Sequence, residues 1–287
     1  MLAVWLDQPA CRDIALTGGK AARLSQLADR YPVPPGFCLT AHAHSRWAGE
    51  GAPALLPVDL GALLDETYAA LADRCGAARL RVAVRSSALG EDGAAASFAG
   101  QYSTHLNPAG LEAVADAVIA CWASARAERV LAYQRSHGPS GGGEPVAVLV
   151  QQLVPADASF VAFSANPVTG ERSEVVVDAS LGLGESIVSG SVTPDTYTLR
   201  RSDRSIATWH VHDKQRMTIL RPAGVQEVNV PRALRRRPAL TETQASAVAD
   251  LAVGLEADLG FPVDVEGAFH DDTLYLLQCR PISTLRP

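Results

Sequence analysis

Near its C-terminus the chain reads Val263–Phe269 (VDVEGAF) and Thr273–Arg280 (TLYLLQCR) on either side of His270-Asp271-Asp272. Side chains alternate across a strand, so the period-two pattern predicts a hairpin with one buried face. Asp264 and Glu266 alternate with Val263 and Val265 and share the other face; Gln278 and Arg280, two residues apart, share a face of the second strand. A carboxylate and an amide oxygen are hard ligands that suit Mg²⁺, and an arginine beside them suits charge on a transferring phosphoryl group. The plainer reading is a solvated sheet face with a salt bridge. Register separates the two: a two- or four-residue turn sets Glu266 against Leu277, whereas a three-residue loop Asp271–Thr273 sets it against Gln278. A shared metal requires the second.

The hairpin closes a chain of 287 residues that reads as mixed helix and strand. Ala21–Arg30, Leu60–Arg74 and Leu111–Arg135 carry helical stripes, the last through Val114, Val118, Cys121, Trp122 and Ala125. Val82–Val84, Val146–Val154, Ser159–Phe163 and Glu174–Asp178 read as strands. A helix is predicted over Glu242–Leu259, with Thr241 and Gln244 as a capping box and Gly260 at its end. The Gly-rich His137–Glu144 reads as a linker, giving an α+β protein with an N-terminal lobe over 1–140 and a C-terminal lobe over 141–287. Arg232–Pro238 reads as a short basic loop.

Lys plus Arg total 25 against 31 for Asp plus Glu, a formal charge of -6, so no global basic field draws nucleic acid or an acidic membrane surface. No apolar run reaches the roughly 18 residues of a membrane span. The five cysteines are scattered without a C-x-x-C pair, which suggests neither a disulfide framework nor a zinc site and fits a cytoplasmic protein. Lys20 and Lys214 are the only lysines in a chain whose other cationic side chains are arginines, a sign that those two positions need a compact ammonium.

Three further segments suit phosphate. Thr17–Lys20 (TGGK) reads as a turn opening a helix, where backbone N–H groups and Lys20 can meet an anion. Arg85-Ser86-Ser87 ends a strand and Ser97–Thr104 (SFAGQYST) follows it, hydroxyls and glycine being apt to wrap polyphosphate. Ser180–Gly190 (SLGLGESIVSG) places Glu185 where it can bind ribose hydroxyls or simply cap a helix. Each of these also reads as an ordinary turn or surface loop.

Taken in order, GGKAARLSQL with PVPPGF, VAVRSSALGED with SFAGQY, VAVLVQQLV, ANPVTG, SLGLGESIVSG with TPDTY, and DVEGAF with LLQCRPI span roughly Leu16–Ile282. This series resembles the ATP-binding domain shared by phosphoenolpyruvate synthase, pyruvate phosphate dikinase and rifampicin phosphotransferase. The resemblance implies an ATP-grasp fold, with two lobes enclosing a nucleotide cleft, and Mg-ATP as cofactor. It implies Lys20 and Arg85 on the phosphates and the loop from Gly100 and Gln101 to Thr104 as a lid. Gln151, Gln152, Leu153 and Val154 would be a strand edge meeting adenine, and Glu185 a ribose contact. Glu266 and Gln278 would hold Mg²⁺ against the nucleotide, with Arg280 on the transferred phosphoryl group. Lys214, in DKQRM, matches a family lysine to which the sequence assigns no role, a bare surface charge being the plain alternative.

Two positions depart from the pattern: Gly267 stands where the family commonly has Trp, and Phe160 where it has Gly, which puts the shape of the pocket in question. The family's phosphohistidine motif, TGG followed by a Ser/Cys-His pair, is absent around His42, His44, His105, His137, His210, His212 and His270. The implied activity is therefore a phosphotransferase half-reaction, cleaving ATP to AMP and serving a small-molecule acceptor or a histidine of a separate protein. A non-catalytic ATP-binding subunit, or an ATP-grasp kinase or ligase releasing ADP, is the alternative.

Overall fold

The structure, a computed structural model, describes residues 1–77, 79–88, 103–108, 110–137 and 145–285, with side chains described to residue 124 within 110–137. Gly100 and Gln101 of the expected lid lie outside the described residues. The chain forms two compact units: Met1–Arg30, Pro34–Leu153 and Pro222–Gly224 in the first, Tyr31–Val33, Val154–Arg221 and Val225–Pro287 in the second. The expected boundary at 140/141 is displaced, because the strand that follows it is the middle strand of the first unit's sheet.

That sheet holds β1 (Ala3–Trp5), β2 (Gly36–Leu39), β3 (Val82–Ser87), β4 (Thr104–Leu106) and β5 (Ala147–Gln152) in the order β1-β2-β5-β3-β4, each pair antiparallel. On one face Phe37, Leu39, Val82, Val84, Val148 and Val150 form a core with α2 (Ala41–Gly49), α3 (Val58–Arg74) and α4 (Gly110–His137). Val114, Val118, Cys121 and Trp122 of α4 are all fully buried there, as the helical stripe predicts. Trp47 and Trp122 lie 5.4 Å apart between ring centroids, and their indole N–H groups donate to the carbonyls of Pro53 and Val146. A buried indole loses little when its N–H finds such an acceptor.

The other face meets α1 (Ile14–Leu27), which is interrupted at Gly18 (φ 75°). A Cβ at that position would stand 2.0 Å from the Ser87 carbonyl oxygen, so only glycine fits. Thr17–Lys20 therefore lies inside α1 and opens only its second segment. The N–H of Gly19 donates to the Ala88 carbonyl and that of Ala21 to Ser87 Oγ, so β3 caps the new helix start from outside.

The second unit is built on a six-stranded antiparallel sheet, adding β6 (Ala158–Phe163), β7 (Glu174–Leu181), β8 (Asp195–Arg200), β9 (Ile206–His210), the hairpin β10 (Arg216–Leu220) and β11 (Val225–Asn229), β12 (Val263–His270) and β13 (Thr273–Pro281). The six strands run β13-β12-β6-β7-β8-β9, and β10–β11 forms a separate ribbon. The ribbon docks through Thr218, whose carbonyl accepts the Leu183 N–H and leaves no room for a side chain at Gly182. Helix α6 (Glu242–Leu259) covers one sheet face with Ala245, Val248, Ala249, Ala252 and Leu255. Its ends are as predicted: Thr241 and Gln244 form the reciprocal capping box, and Gly260 adopts the left-handed cap.

The hairpin register departs from expectation. The turn is the two-residue Asp271-Asp272, with φ of 47° and 61°, and His270 pairs with Thr273. Yet Glu266 pairs with Gln278, because the register shifts between Glu266 and Gly267 and Leu277 is left as a bulge. A bulge thus does what a three-residue loop was expected to do.

Gly267 and Phe160 pair directly across β12 and β6. A Cβ at Gly267 would stand 2.2 Å from the Phe160 ring, which is 1% exposed and packs 5.9 Å from Phe269. Both lie on the α6 face, opposite to Glu266. The two departures from the family pattern are therefore one exchange of volume within the core, and they leave the face bearing Glu266 untouched. Gly267→Trp alone and Phe160→Gly alone are each expected to lose about 3 kcal/mol or more by urea unfolding. The double variant should recover part of that, with a coupling of about 1–3 kcal/mol; simple additivity would refute the exchange.

Candidate functional site

In the first unit, Arg85, Ser87, Gln151 and Thr104 alternate onto the sheet face that meets α1. Arg85 pairs with Thr104 on one side and Leu149 on the other. Arg85 is half-buried and Thr104 exposed. Lys20 is 5% exposed and its Nζ donates to the Ser86 carbonyl at 3.1 Å. Two cations thus stand near the end of β3, both with their stems in the protein. The backbone of Thr17–Lys20 offers less than the sequence suggests, since the N–H groups of Gly19 and Ala21 are taken by the Ala88 carbonyl and Ser87 Oγ.

Gln151–Leu153 is not a sheet edge but the end of the central strand. Gln151 is 2% exposed and its side-chain amide donates to the Pro34 carbonyl, while the N–H groups of Gln152 and Leu153 donate to Pro35 and Arg81. Gln152 and Leu153 are half-buried; Val154, at 5% exposure, begins the second unit.

In the second unit the sheet face opposite α6 carries two ladder pairs side by side: Asp264 with Arg280, and Glu266 with Gln278. Arg280 Nε donates to Asp264 Oδ2 at 2.8 Å. Asp264 Oδ1 is buried and has no hydrogen-bond partner. Burial pushes the Asp264 carboxyl above its ordinary range; Arg280 pulls it back, and Glu266 pushes it up again. Gln278 is 7% exposed, so its amide is held between strands and not waving in solvent. Two carboxylates, an amide and a guanidinium therefore meet on one face, an oxygen-rich set next to a fixed positive charge.

Glu185 opens the one-turn helix α5 (Glu185–Val188) and is exposed. The preceding Gly184 packs on the Ser159 side chain, whose hydroxyl donates to the Gly182 carbonyl. Ser159 lies on the same sheet face as Glu266, two residues along β6 from its partner Val161, so the 182–185 segment folds over the acidic face.

Lys214 is not a surface charge. It is fully buried with Asp195, its Nζ 2.7 Å from both carboxylate oxygens. Asp195 also accepts the N–H groups of His212 and Ala239, and the Lys214 N–H donates to the Arg235 carbonyl. The pair anchors the segments around 212 and 235–239 to β8. The one signal in the sequence was the rarity of lysine, and both lysines are indeed buried.

Residues 52–287 match the family described as pyruvate phosphate dikinase, AMP/ATP-binding domain. The chain belongs to this AMP/ATP-binding domain family. It is 33% identical to a probable phosphoenolpyruvate synthase of Methanocaldococcus jannaschii, over 98% of this chain and 27% of that protein. It is 37% identical to a rifampicin phosphotransferase of a Streptomyces species, over 100% of this chain and 36% of that protein. It is 39% identical to a prodigiosin synthesizing transferase of Serratia marcescens, over 93% and 31%. The chain thus spans between about a quarter and a half of the length of the curated relatives it matches. Among the described residues no helix is long and apolar enough to cross a membrane.

Proposed function

We propose that the chain is an ATP-grasp domain that binds Mg-ATP and performs a phosphotransferase half-reaction in the cytoplasm, with AMP as the nucleotide product. The observation that carries this reading is the side-by-side pairing of Glu266 with Gln278 and of Asp264 with Arg280 on one sheet face. A protein that only bound nucleotide would not need a metal-type oxygen set beside a fixed guanidinium.

The residues fit Mg²⁺: Glu266 and Gln278 offer hard oxygens from directly opposed positions, and Asp264 adds a buried oxygen that lacks a partner. The ion, when bound, would screen charge on the phosphates and orient them. Lys20 and Arg85 would neutralise the remaining phosphate charge, with Thr104 beside Arg85; Gly100 and Gln101, four and three residues ahead of Thr104 in the sequence, would serve the same phosphates. Gln152, Leu153 and Val154, rather than the Gln151 amide that holds Pro34, would meet the adenine, and Glu185 the ribose. Arg280, steadied by Asp264, would stabilise the phosphoryl group in flight. The acceptor is a small molecule or a histidine of a separate protein; the name of one relative, rifampicin phosphotransferase, fits the first route.

The test is ³¹P spectroscopy of Mg-ATP with purified protein, with and without a filtered small-molecule extract of the source cells. AMP formed only with extract supports transfer to a small acceptor. ADP as the sole nucleotide product would overturn the proposed half-reaction in favour of an ordinary kinase or ligase.

A further inference from the structure

At the tip of the β12–β13 hairpin Asp157, His270 and Asp271 converge. Asp157 immediately precedes β6, and extending the β6–β12 register by one residue sets it across from His270. One imidazole nitrogen and one oxygen from each carboxylate lie within 4.8 Å of one another. His270 Nδ1 is 3.5 Å from Asp157 Oδ2, and Nε2 is 3.5 Å from Asp271 Oδ2. Both separations are long for hydrogen bonds and fall on different ring nitrogens, so an ion held by one nitrogen has one carboxylate at the spacing of a neighbouring ligand and draws in the other from within 4.8 Å.

The cluster is held from its backbone. The Asp157 N–H donates to the Phe269 carbonyl, the Asp157 carbonyl accepts the Gly182 N–H, and the Asp271 N–H donates to Asp157 Oδ2. His270 Nδ1 is shielded from solvent and has no hydrogen-bond partner, an atom whose pairing the chain leaves unmet.

We propose that Asp157, His270 and Asp271 form a second metal site, selective for a borderline transition ion such as Zn²⁺ or Co²⁺. One imidazole with two carboxylates matches the donors such ions take, whereas Mg²⁺ prefers oxygen alone. His270 and Glu266 lie on the same face of β12 but four residues apart, about 13 Å along a strand, so the two sites do not share a ligand. The outward position of both carboxylates leaves room for water to complete the coordination shell.

The site is tested on tag-free, chelator-treated protein titrated with Co²⁺ by visible absorption and with Zn²⁺ by calorimetry. One equivalent of each is expected to bind. His270→Ala and Asp157→Asn, which replace partly or largely exposed side chains, should each weaken binding by at least about tenfold, since loss even of an outer-shell partner costs that much. Glu266→Ala should leave this titration unchanged. Binding that is absent in the parent, or equal in the parent and both hairpin variants, would overturn the site and leave the cluster as an ion triad.

Discussion

Lys214→Ala is expected to lower the free energy of unfolding by about 3–5 kcal/mol, because it leaves a buried carboxylate without its counter-charge. Asp195 has no exposed surface, and after the change only the N–H groups of His212 and Ala239 would face its oxygens. Those two N–H groups also explain why replacing both partners with apolar residues is not expected to be neutral: the backbone donors would lose their acceptor. Lys214→Arg should not restore stability, since a planar guanidinium cannot take the place of an ammonium bonded to both carboxylate oxygens and to the His212 carbonyl. Urea unfolding of the variants measures this, and a loss under about 1 kcal/mol, the range of a solvated pair, would refute the anchoring role.

Arg280→Ala is expected to reduce turnover by about 10³-fold or more, the scale on which arginines act on phosphoryl transfer, while the nucleotide dissociation constant stays nearly unchanged. The asymmetry follows from the proposed roles: Arg280 stands beside the Glu266–Gln278 pair and is oriented by Asp264, where it would meet the group in transfer, while ground-state phosphate contacts are proposed for Lys20 and Arg85. Equal losses in binding and turnover would make Arg280 a ground-state contact. The same variant has a pH signature. The fold holds the Asp264 carboxyl above the ordinary range of an aspartate, so its contribution to stability is present at low pH and is lost as pH rises through the raised value. Without the guanidinium that counteracts burial, the loss is larger. Arg280→Ala should therefore fall further below the parent in stability as pH rises from about 4 toward neutrality.

Much of this was legible because the signals were local. The capping box of α6, the stripe of α4 and the alternation of β12 each depend on neighbours within a few residues, and each appears where periodicity puts it. Strands β8 to β11 were not read, since β9 and β11 are short and largely exposed and carry little apolar alternation. The linker-like glycines misled the division of the chain: a break in sequence pattern does not show which sheet the next strand will join. The role of Lys214 stayed open for a related reason, as its partner Asp195 lies on a strand the sequence did not reveal. The exchange between Gly267 and Phe160 is invisible one position at a time, because it is made across two strands far apart in sequence.

The bulge at Leu277 gives β13 one residue of slack. Between the turn and the bulge the strand keeps step with β12 in one phase; beyond it, Gln278 and Arg280 keep step in another. A residue shed at Leu277 would merge the two phases and still leave Gln278 facing Glu266. The tip of the hairpin, with His270 and Asp271, and its acidic stretch can consequently drift apart in length and chemistry over evolutionary time, each without throwing the other out of alignment.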